Sequence, residues 1–359
     1  MEVGIVGLQG VGKTTLFQSL TGLAAGAGAT GKGGPGSPNV GIAKVPDPRL
    51  RTIASFIPTK QITPAAIRVV DIPGFATGGE ASAFARQVLA HIREVDALCH
   101  VVRCFPDLAG AAPRPAKDID DLETEMVFAD LSVVETARDK ASRSAKSGDR
   151  EAKQRLAALD RAHPVLSEGK PIRSIVDLTT EEKAALRGYG MITLKPVLYV
   201  ANIDEKDLGG ASPHVKVVED IANQGGGEVV ALCAKLEAEI AELPEADRGE
   251  MLTSLGLSEP ALAVMARALY RLLGLTSFYT AGEKEVRAWP IPFDARAPQA
   301  AGVIHSDIER GFIRAECYHV DDLVKHGSEK AIRDAGKLRS EGKNYVMQDG
   351  DVVHFLFNV

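Results

Sequence analysis

One loop near the start of the chain restricts the possible folds more than any other feature. Gly7-Leu8-Gln9-Gly10-Val11-Gly12-Lys13-Thr14 reads G-x-x-x-x-G-K-[ST], the spacing of a phosphate-binding P-loop. Val3-Gly4-Ile5-Val6 before it is a short apolar run suited to a buried parallel strand. Thr15 to Leu20 after it has helical spacing and meets no breaker until Gly22. In that context the glycines let successive backbone N–H groups turn inward as an anion nest, and the helix N-terminus adds partial positive charge. Gln9, Gly10, Val11, Gly12, Lys13, Thr14 and Thr15 are therefore expected to line a nucleotide's phosphates. Lys13 would reach the β- and γ-phosphates, and the Thr14 hydroxyl would ligate magnesium.

Two further strand ends complete a nucleotide site. Ile67 to Val70 reads as a strand ending in Asp71-Ile72-Pro73-Gly74. A carboxylate at a strand tip, three residues before a glycine, fits a switch in which Asp71 holds magnesium through water and the Gly74 N–H senses the γ-phosphate. Lys13 and Gly74 are the candidate catalytic groups. Val197 to Ala201 delivers Asn202-Ile203-Asp204-Glu205, and Glu228 to Leu232 delivers Cys233-Ala234-Lys235. Asn202, Ile203, Glu205, Cys233, Ala234 and Lys235 are the candidates for the base. A GTPase would read Asn-Lys-x-Asp here, its Asp accepting from guanine N1–H and the exocyclic amine. Ile203 supplies no ammonium, and Glu205 carries one methylene too many for the same placement. Adenine presents an acceptor at N1, so a carboxylate placed for guanine would face it unpaired. Asp204 reads as solvent-facing.

The rest of the chain supplies the frame. Ala83 to Arg93 is helical, and Ala97 to Arg103 is a buried strand in which His100 reads as a satisfied core histidine. From Asp118 to about Ala162 apolar residues recur at helical period, interrupted by Ser147-Gly148-Asp149, which predicts a helical hairpin. A capping box at Thr179 to Glu182 starts another helix, ended by Gly188. Gly22 to Gly41 reads as a flexible loop by composition. From Thr276 short alternating strands take over, with Leu323 to Lys343 read as a helical stretch carrying Lys325, Lys330, Arg333, Lys337, Arg339 and Lys343. The segments are 1–117 and 195–275 for a doubly wound, mainly parallel α/β domain, 118–194 for its helical insertion, and 276–359 for an α+β module.

At 359 residues the chain has room for two or three cores, and its net charge of −6 argues against an overall nucleic-acid coat and specific DNA binding. No run is long enough to span a membrane, and the chain opens directly into a strand. The four cysteines form no C-x-x-C pair, so a reducing cytoplasm is the expectation.

The residues also carry a resemblance along essentially the whole length. Pro46-Asp47-Pro48-Arg49-Leu50, His91 to Glu94, His100 to Phe105, Lys195 to Asn202, Phe278 to Gly282, Ala297 to His305 and Gln348 to Asp351 resemble the YchF, or Obg-like ATPase, family of translation-factor P-loop proteins. The resemblance implies a G domain, an inserted coiled-coil hairpin and a C-terminal TGS domain of ubiquitin-like fold. It also implies binding of ATP and ADP with magnesium, slow hydrolysis of ATP and association with ribosomes through the large subunit or its RNA. The family's N-x-x-E pattern goes with adenine, the Asn side chain and nearby backbone reading N6 and N7. Several positions depart from the family. Gln9 and Gly10 replace its Pro and Asn, Pro35 stands where a first-switch Thr is expected with Thr30 and Ser37 nearby, and the loop from Pro106 to Lys117 has no His. Phe75 stands where classical switch GTPases carry a water-orienting Gln. Three readings stay open on the sequence: an ATPase switch, a nucleotide-binding scaffold with negligible turnover, and a GTPase.

Overall fold

The computed structural model describes residues 1–23, 38–74, 82–107 and 109–358. Thr30, Pro35, Ser37 and Phe75, on which the switch readings fall, lie outside the described residues. Strand β1 (Glu2–Val6) leads through the glycine loop to helix α1 (Lys13–Thr21). Then come β2 (Asn39–Val45), α2 (Pro48–Phe56), the two-residue β3 (Ile62–Thr63), β4 (Ala65–Asp71), α3 (Ser82–Glu94) and β5 (Ala97–Cys104). Helices α4 (Pro115–Lys146), α5 (Arg150–Ser167) and α6 (Thr180–Arg187) form the insertion. The α/β pattern resumes with β6 (Val197–Ile203), α7 (Pro213–Gln224), β7 (Glu228–Leu232), α8 (Ala234–Glu242), α9 (Glu245–Ser254) and α10 (Ala261–Leu272). The C-terminal part holds β8 (Leu275–Ala281), β9 (Val286–Pro292), α11 (Ala297–Ile304), α12 (Ser306–Arg310) and β10 (Phe312–His319). It ends with α13 (Val320–His326), α14 (Glu329–Asp334), β11 (Arg339–Glu341) and β12 (Asp351–Phe357).

The chain divides into two compact units, 1–42 with 68–269, and 43–67 with 270–359. In the first, the sheet order is β2-β4-β1-β5-β6-β7, and β1 pairs in parallel with both β4 and β5, β5 with β6, and β6 with β7. The carboxyl ends of these parallel strands therefore emerge on one edge, where ligands bind in open α/β sheets. Chain order reverses at β1, the strand that feeds the glycine loop. One face of β5 and β6 presents Leu98, Val102, Val197, Tyr199, Ala201 and Ile203 to a core completed by Ile119, Leu122 and Met126 of α4. Farther along, α4 packs on α5 through a separate core that includes Val134, Ala137, Leu159 and Ala162. One long helix thus belongs to both cores, and the turn at 147–149 ends it where the sequence expected.

Polar groups fix where the insertion begins and ends. Asp130 of α4 is fully buried and accepts hydrogen bonds from the backbone N of Ile192 (3.1 Å) and Thr193 (2.7 Å) and from the Thr193 hydroxyl (2.8 Å). Arg93 near the end of α3 pairs with it at 3.2 Å and also donates to the Gly190 carbonyl at 2.6 Å. Four donors on one buried carboxylate satisfy its desolvation cost. They tie α3, α4 and the returning chain together.

The second unit has sheet order β11-β10-β12-β8-β9-β3, with a core of Phe278, Ile291, Phe312 and Phe355 among others. Three of the sequence stretches that carry the family resemblance meet inside it. The Arg49 guanidinium bonds Asp47 (3.0 Å) and Asp349 (2.6 Å), the Tyr279 hydroxyl donates to Asp47 (2.5 Å), and Asp349 also accepts from the Thr276 hydroxyl (2.8 Å). This network groups residues 43–67 with the C-terminal chain, although they lie inside the first sequence segment.

Three local expectations need correction. Asn39–Val45 is a strand, not part of a loop, and its alternation turns Gly41, Ala43 and Val45 inward while Ile42 and Lys44 stay exposed. Leu323 to Lys343 is not one helical stretch. Gly327 in the left-handed conformation ends α13, Ser328 caps α14, and Arg339 sits in β11, bound to Tyr345 (2.7 Å) and to the fully buried Asp351 (2.5 Å). His100 is buried as expected, but its Nδ1 has no hydrogen-bond partner among the described residues, and burial pushes its pKa down to about 3, so it stays neutral.

Candidate nucleotide-binding site

The phosphate side is built by the turn from β1 into α1. Gly7, Gly10 and Gly12 all have positive φ, at 147°, 75° and 95°. At Gly12 a Cβ would stand 2.4 Å from Asn202 Nδ2, and at Gly7 it would stand 2.5 Å from the Val101 carbonyl. Both positions need glycine for space as well as conformation. Lys13, at the first residue of α1, is 7 % exposed and donates to the Leu8 carbonyl at 2.6 Å. Burial lowers its pKa to about 8 against the opposing pull of Asp71. Gly74 approaches so closely that a Cβ there would lie 2.7 Å from Lys13 Nζ and 3.1 Å from the Gln9 backbone N. The candidate catalytic pair is thus brought together as backbone against ammonium.

Thr14 and Asp71 meet as the sequence requires: the Thr14 hydroxyl donates to Asp71 Oδ2 at 3.0 Å. Asp71 is 7 % exposed, and burial raises its pKa against the effects of Thr14, Asn39 and Lys13. A buried carboxylate beside a hydroxyl, both hard oxygen donors, fits magnesium, which takes one or two protein ligands and completes its shell with water and phosphate. Among the described residues no group of three or more His, Cys, Asp or Glu is placed to hold a metal. Thr14 and Asp71 would hold the ion, which neutralises phosphate charge when bound.

The base side is arranged differently from its sequence reading. The strand β6 continues through Ile203, so period-two alternation sends residues 197, 199, 201 and 203 to the core. Ile203 is only 3 % exposed and belongs to that core instead of lining the site edge. Asn202 faces the other way. Its Nδ2 donates to the Val11 carbonyl at 2.8 Å, and its Oδ1 accepts from the Ala234 backbone N at 2.9 Å. The carboxamide expected to read adenine N6 and N7 is therefore engaged at both ends in joining the glycine loop to the 233–235 turn. Cys233 precedes α8 with its side chain in the core, and burial raises its thiol pKa against the backbone N–H groups of Leu236 and Lys235. Ala234 contributes its backbone. Lys235 and Glu205 are exposed and paired at 2.7 Å at the rim, and Asp204 accepts from the Lys206 backbone N at 3.0 Å, capping a 3-10 turn.

Asn39 is the site residue that sequence reasoning missed. It reaches Asp71 from β2, and the composition of its neighbours hid that strand.

The depressed Lys13 pKa gives a signed expectation. Between about pH 8 and 10.5 the unfolded chain binds more protons at this lysine than the folded one, so nucleotide-free stability gains from this group as pH rises through that window. Phosphate bound at the loop restores the charge. Nucleotide binding should take up close to one proton at about pH 9 and only about a tenth of one at pH 7. Calorimetry in buffers of different ionisation enthalpy measures this, and equal uptake at the two pH values would contradict the burial of Lys13.

Residues 2–134 match the family model described as 50S ribosome-binding GTPase, and residues 275–358 match the YchF GTPase C-terminal model, whose description is a protein of unknown function. The ribosome-binding ATPase YchF of Pasteurella multocida is 44 % identical over 366 residues, covering 100 % of this chain and 99 % of the relative. That of Bacillus subtilis is 40 % identical over 370 residues, covering all of both. The structure of a Schizosaccharomyces pombe YchF GTPase superposes with a TM-score of 0.86 at 28 % identity, over 99 % of this chain and 97 % of the other. With its P-loop GTPase-type α/β fold, this chain belongs to the YchF family.

Proposed function

We propose that the protein is a magnesium-dependent, ATP-hydrolysing switch that associates with ribosomes in the cytoplasm and cycles between ATP- and ADP-bound forms. The observation that carries the nucleotide reading is the base-side edge. Where a GTPase needs an ammonium and a short carboxylate, this chain turns Ile203 into the core and ties Glu205 to Lys235. What remains for the base is backbone at 233–235, which suits the mixed donor and acceptor edge of adenine. Relatives with the full length of this chain are named ribosome-binding ATPases. A slow reaction follows from the sequence, because Phe75 cannot orient water and the loop after β5 has no His. The GTPase reading draws support from the naming of the Schizosaccharomyces pombe structure, and nucleotide competition separates the two.

The C-terminal sheet is read as the TGS module, and ribosome contact is assigned to it, through large-subunit RNA. Several of its basic residues are paired with acids. Arg310 is paired with Asp307, Arg314 with Glu316, and Arg339 with Asp351. Lys325, Lys330, Arg333, Lys337 and Lys343 remain as the candidate phosphate contacts.

Magnesium-ATP should bind at least about tenfold tighter than magnesium-GTP, a difference of about 1.4 kcal/mol, with turnover of the protein alone below about one per second. Equal affinities in a calorimetric titration, or tighter GTP, would overturn the adenine assignment. Ribosome co-sedimentation should weaken steeply with salt and fall when those five residues are replaced by Ala. Undiminished pelleting of the replaced protein would remove the contact from this module.

A further inference from the structure

We propose that Asn39 is a positioning residue of the magnesium site, holding the Asp71 carboxylate in the orientation that receives the ion. Its Nδ2 lies 3.5 Å from Asp71 Oδ2, the same oxygen that accepts from Thr14 at 3.0 Å. Among the described residues Oδ2 takes both donors and Oδ1 takes none. The carboxylate is thereby held by one oxygen, and the other is left for a water-mediated cation. The two donors arrive from different elements, Thr14 from the first turn of α1 and Asn39 from the first residue of β2. Asp71 itself ends β4, the neighbour of β2 in the sheet.

Asn39 is placed by packing. Two residues on, Gly41 passes so close to α1 that a Cβ would stand 2.5 Å from Thr21 Cγ2 and 3.0 Å from the Phe17 ring. That approach fixes β2 against the helix that carries Thr14. A carboxamide suits the role because it donates without charge. Aspartate in its place would set a second carboxylate against Asp71, and lysine would compete with the cation. Asn39 also follows directly on the segment assigned to the first switch, where Pro35 has replaced the hydroxyl that the family resemblance leads one to expect. The chain thus retains a fixed polar side chain at the metal site from the strand that follows the switch.

The inference rests on the reading that Thr14 and Asp71 hold magnesium, and the test separates the two. ATP affinity is measured by calorimetry in magnesium and in EDTA for the unmodified protein, Asn39→Ala, the shape-preserving Asn39→Leu, Asp71→Asn, and Asn39→Ala combined with Asp71→Asn. In both Asn39 variants the magnesium-dependent gain in affinity should shrink about five- to tenfold, the scale of one ordinary hydrogen bond. Affinity in EDTA should stay within about twofold, because the phosphate nest is untouched. In the Asp71→Asn background Asn39→Ala should cost nothing further, since the group it orients has lost its charge. An unchanged magnesium gain in both Asn39 variants, or an equal loss with and without the ion, overturns the proposal. Absence of any magnesium gain in the unmodified protein overturns the metal reading and this inference with it.

Discussion

The nucleotide edge of this protein depends on one side chain that need not touch a nucleotide. The Asn202 carboxamide spans from the Val11 carbonyl in the glycine loop to the Ala234 N–H at the start of α8, at 2.8 and 2.9 Å. Buried at 4 % exposure, it exchanges two water hydrogen bonds for two fixed ones in a setting where an unmade bond is expensive. Its consequence is geometric. The glycine loop and the base-side turn come from opposite ends of the first unit's chain, 191 and 32 residues from Asn202, and this contact sets their spacing. Gly12 is glycine partly for that reason, since any Cβ would displace the carboxamide.

Around this tether the site is made mostly of backbone. Gly74 lies against the Lys13 ammonium with no room for a side chain, and Ala234 offers only its main chain toward the turn. Among the described residues the charged side chains are each constrained: Lys13 is held by the Leu8 carbonyl, Asp71 by Thr14 and Asn39, and Glu205 by Lys235 at the rim. Among the described residues, such an arrangement orients phosphate by position.

Much of this was legible in the sequence because it is local. The glycine loop, the D-x-x-G strand tip, the hairpin break at 147–149 and the Thr179 capping box each depend on residues within one turn or one strand. What the sequence hid is what long-range packing decides. Ile203 stands where a GTPase carries its base-contacting Lys and Cys233 heads the base-side turn, yet strand alternation and the start of α8 turn their side chains inward. The strand at Asn39–Val45 was obscured by the glycine and proline around it. The Arg49–Asp47–Tyr279–Asp349 network joins residues up to 300 positions apart, so three motif stretches that looked independent prove to be one contact. Arg339 reads as a phosphate contact by its position among basic residues, but the buried Asp351 engages its guanidinium.

The bridge from the Val11 carbonyl to the Ala234 N–H makes Asn202 an organiser of both halves of the site, beyond any contact it makes to the base. Binding of ATP and of inorganic tripolyphosphate, which has no base, to the Asn202→Ala protein tests this directly. If the bridge sets the spacing of the glycine loop, both ligands should lose at least about fivefold in affinity, about 1 kcal/mol, and by similar factors. A loss confined to ATP, with tripolyphosphate binding unchanged, would show that Asn202 reads adenine and that the glycine loop stands without it.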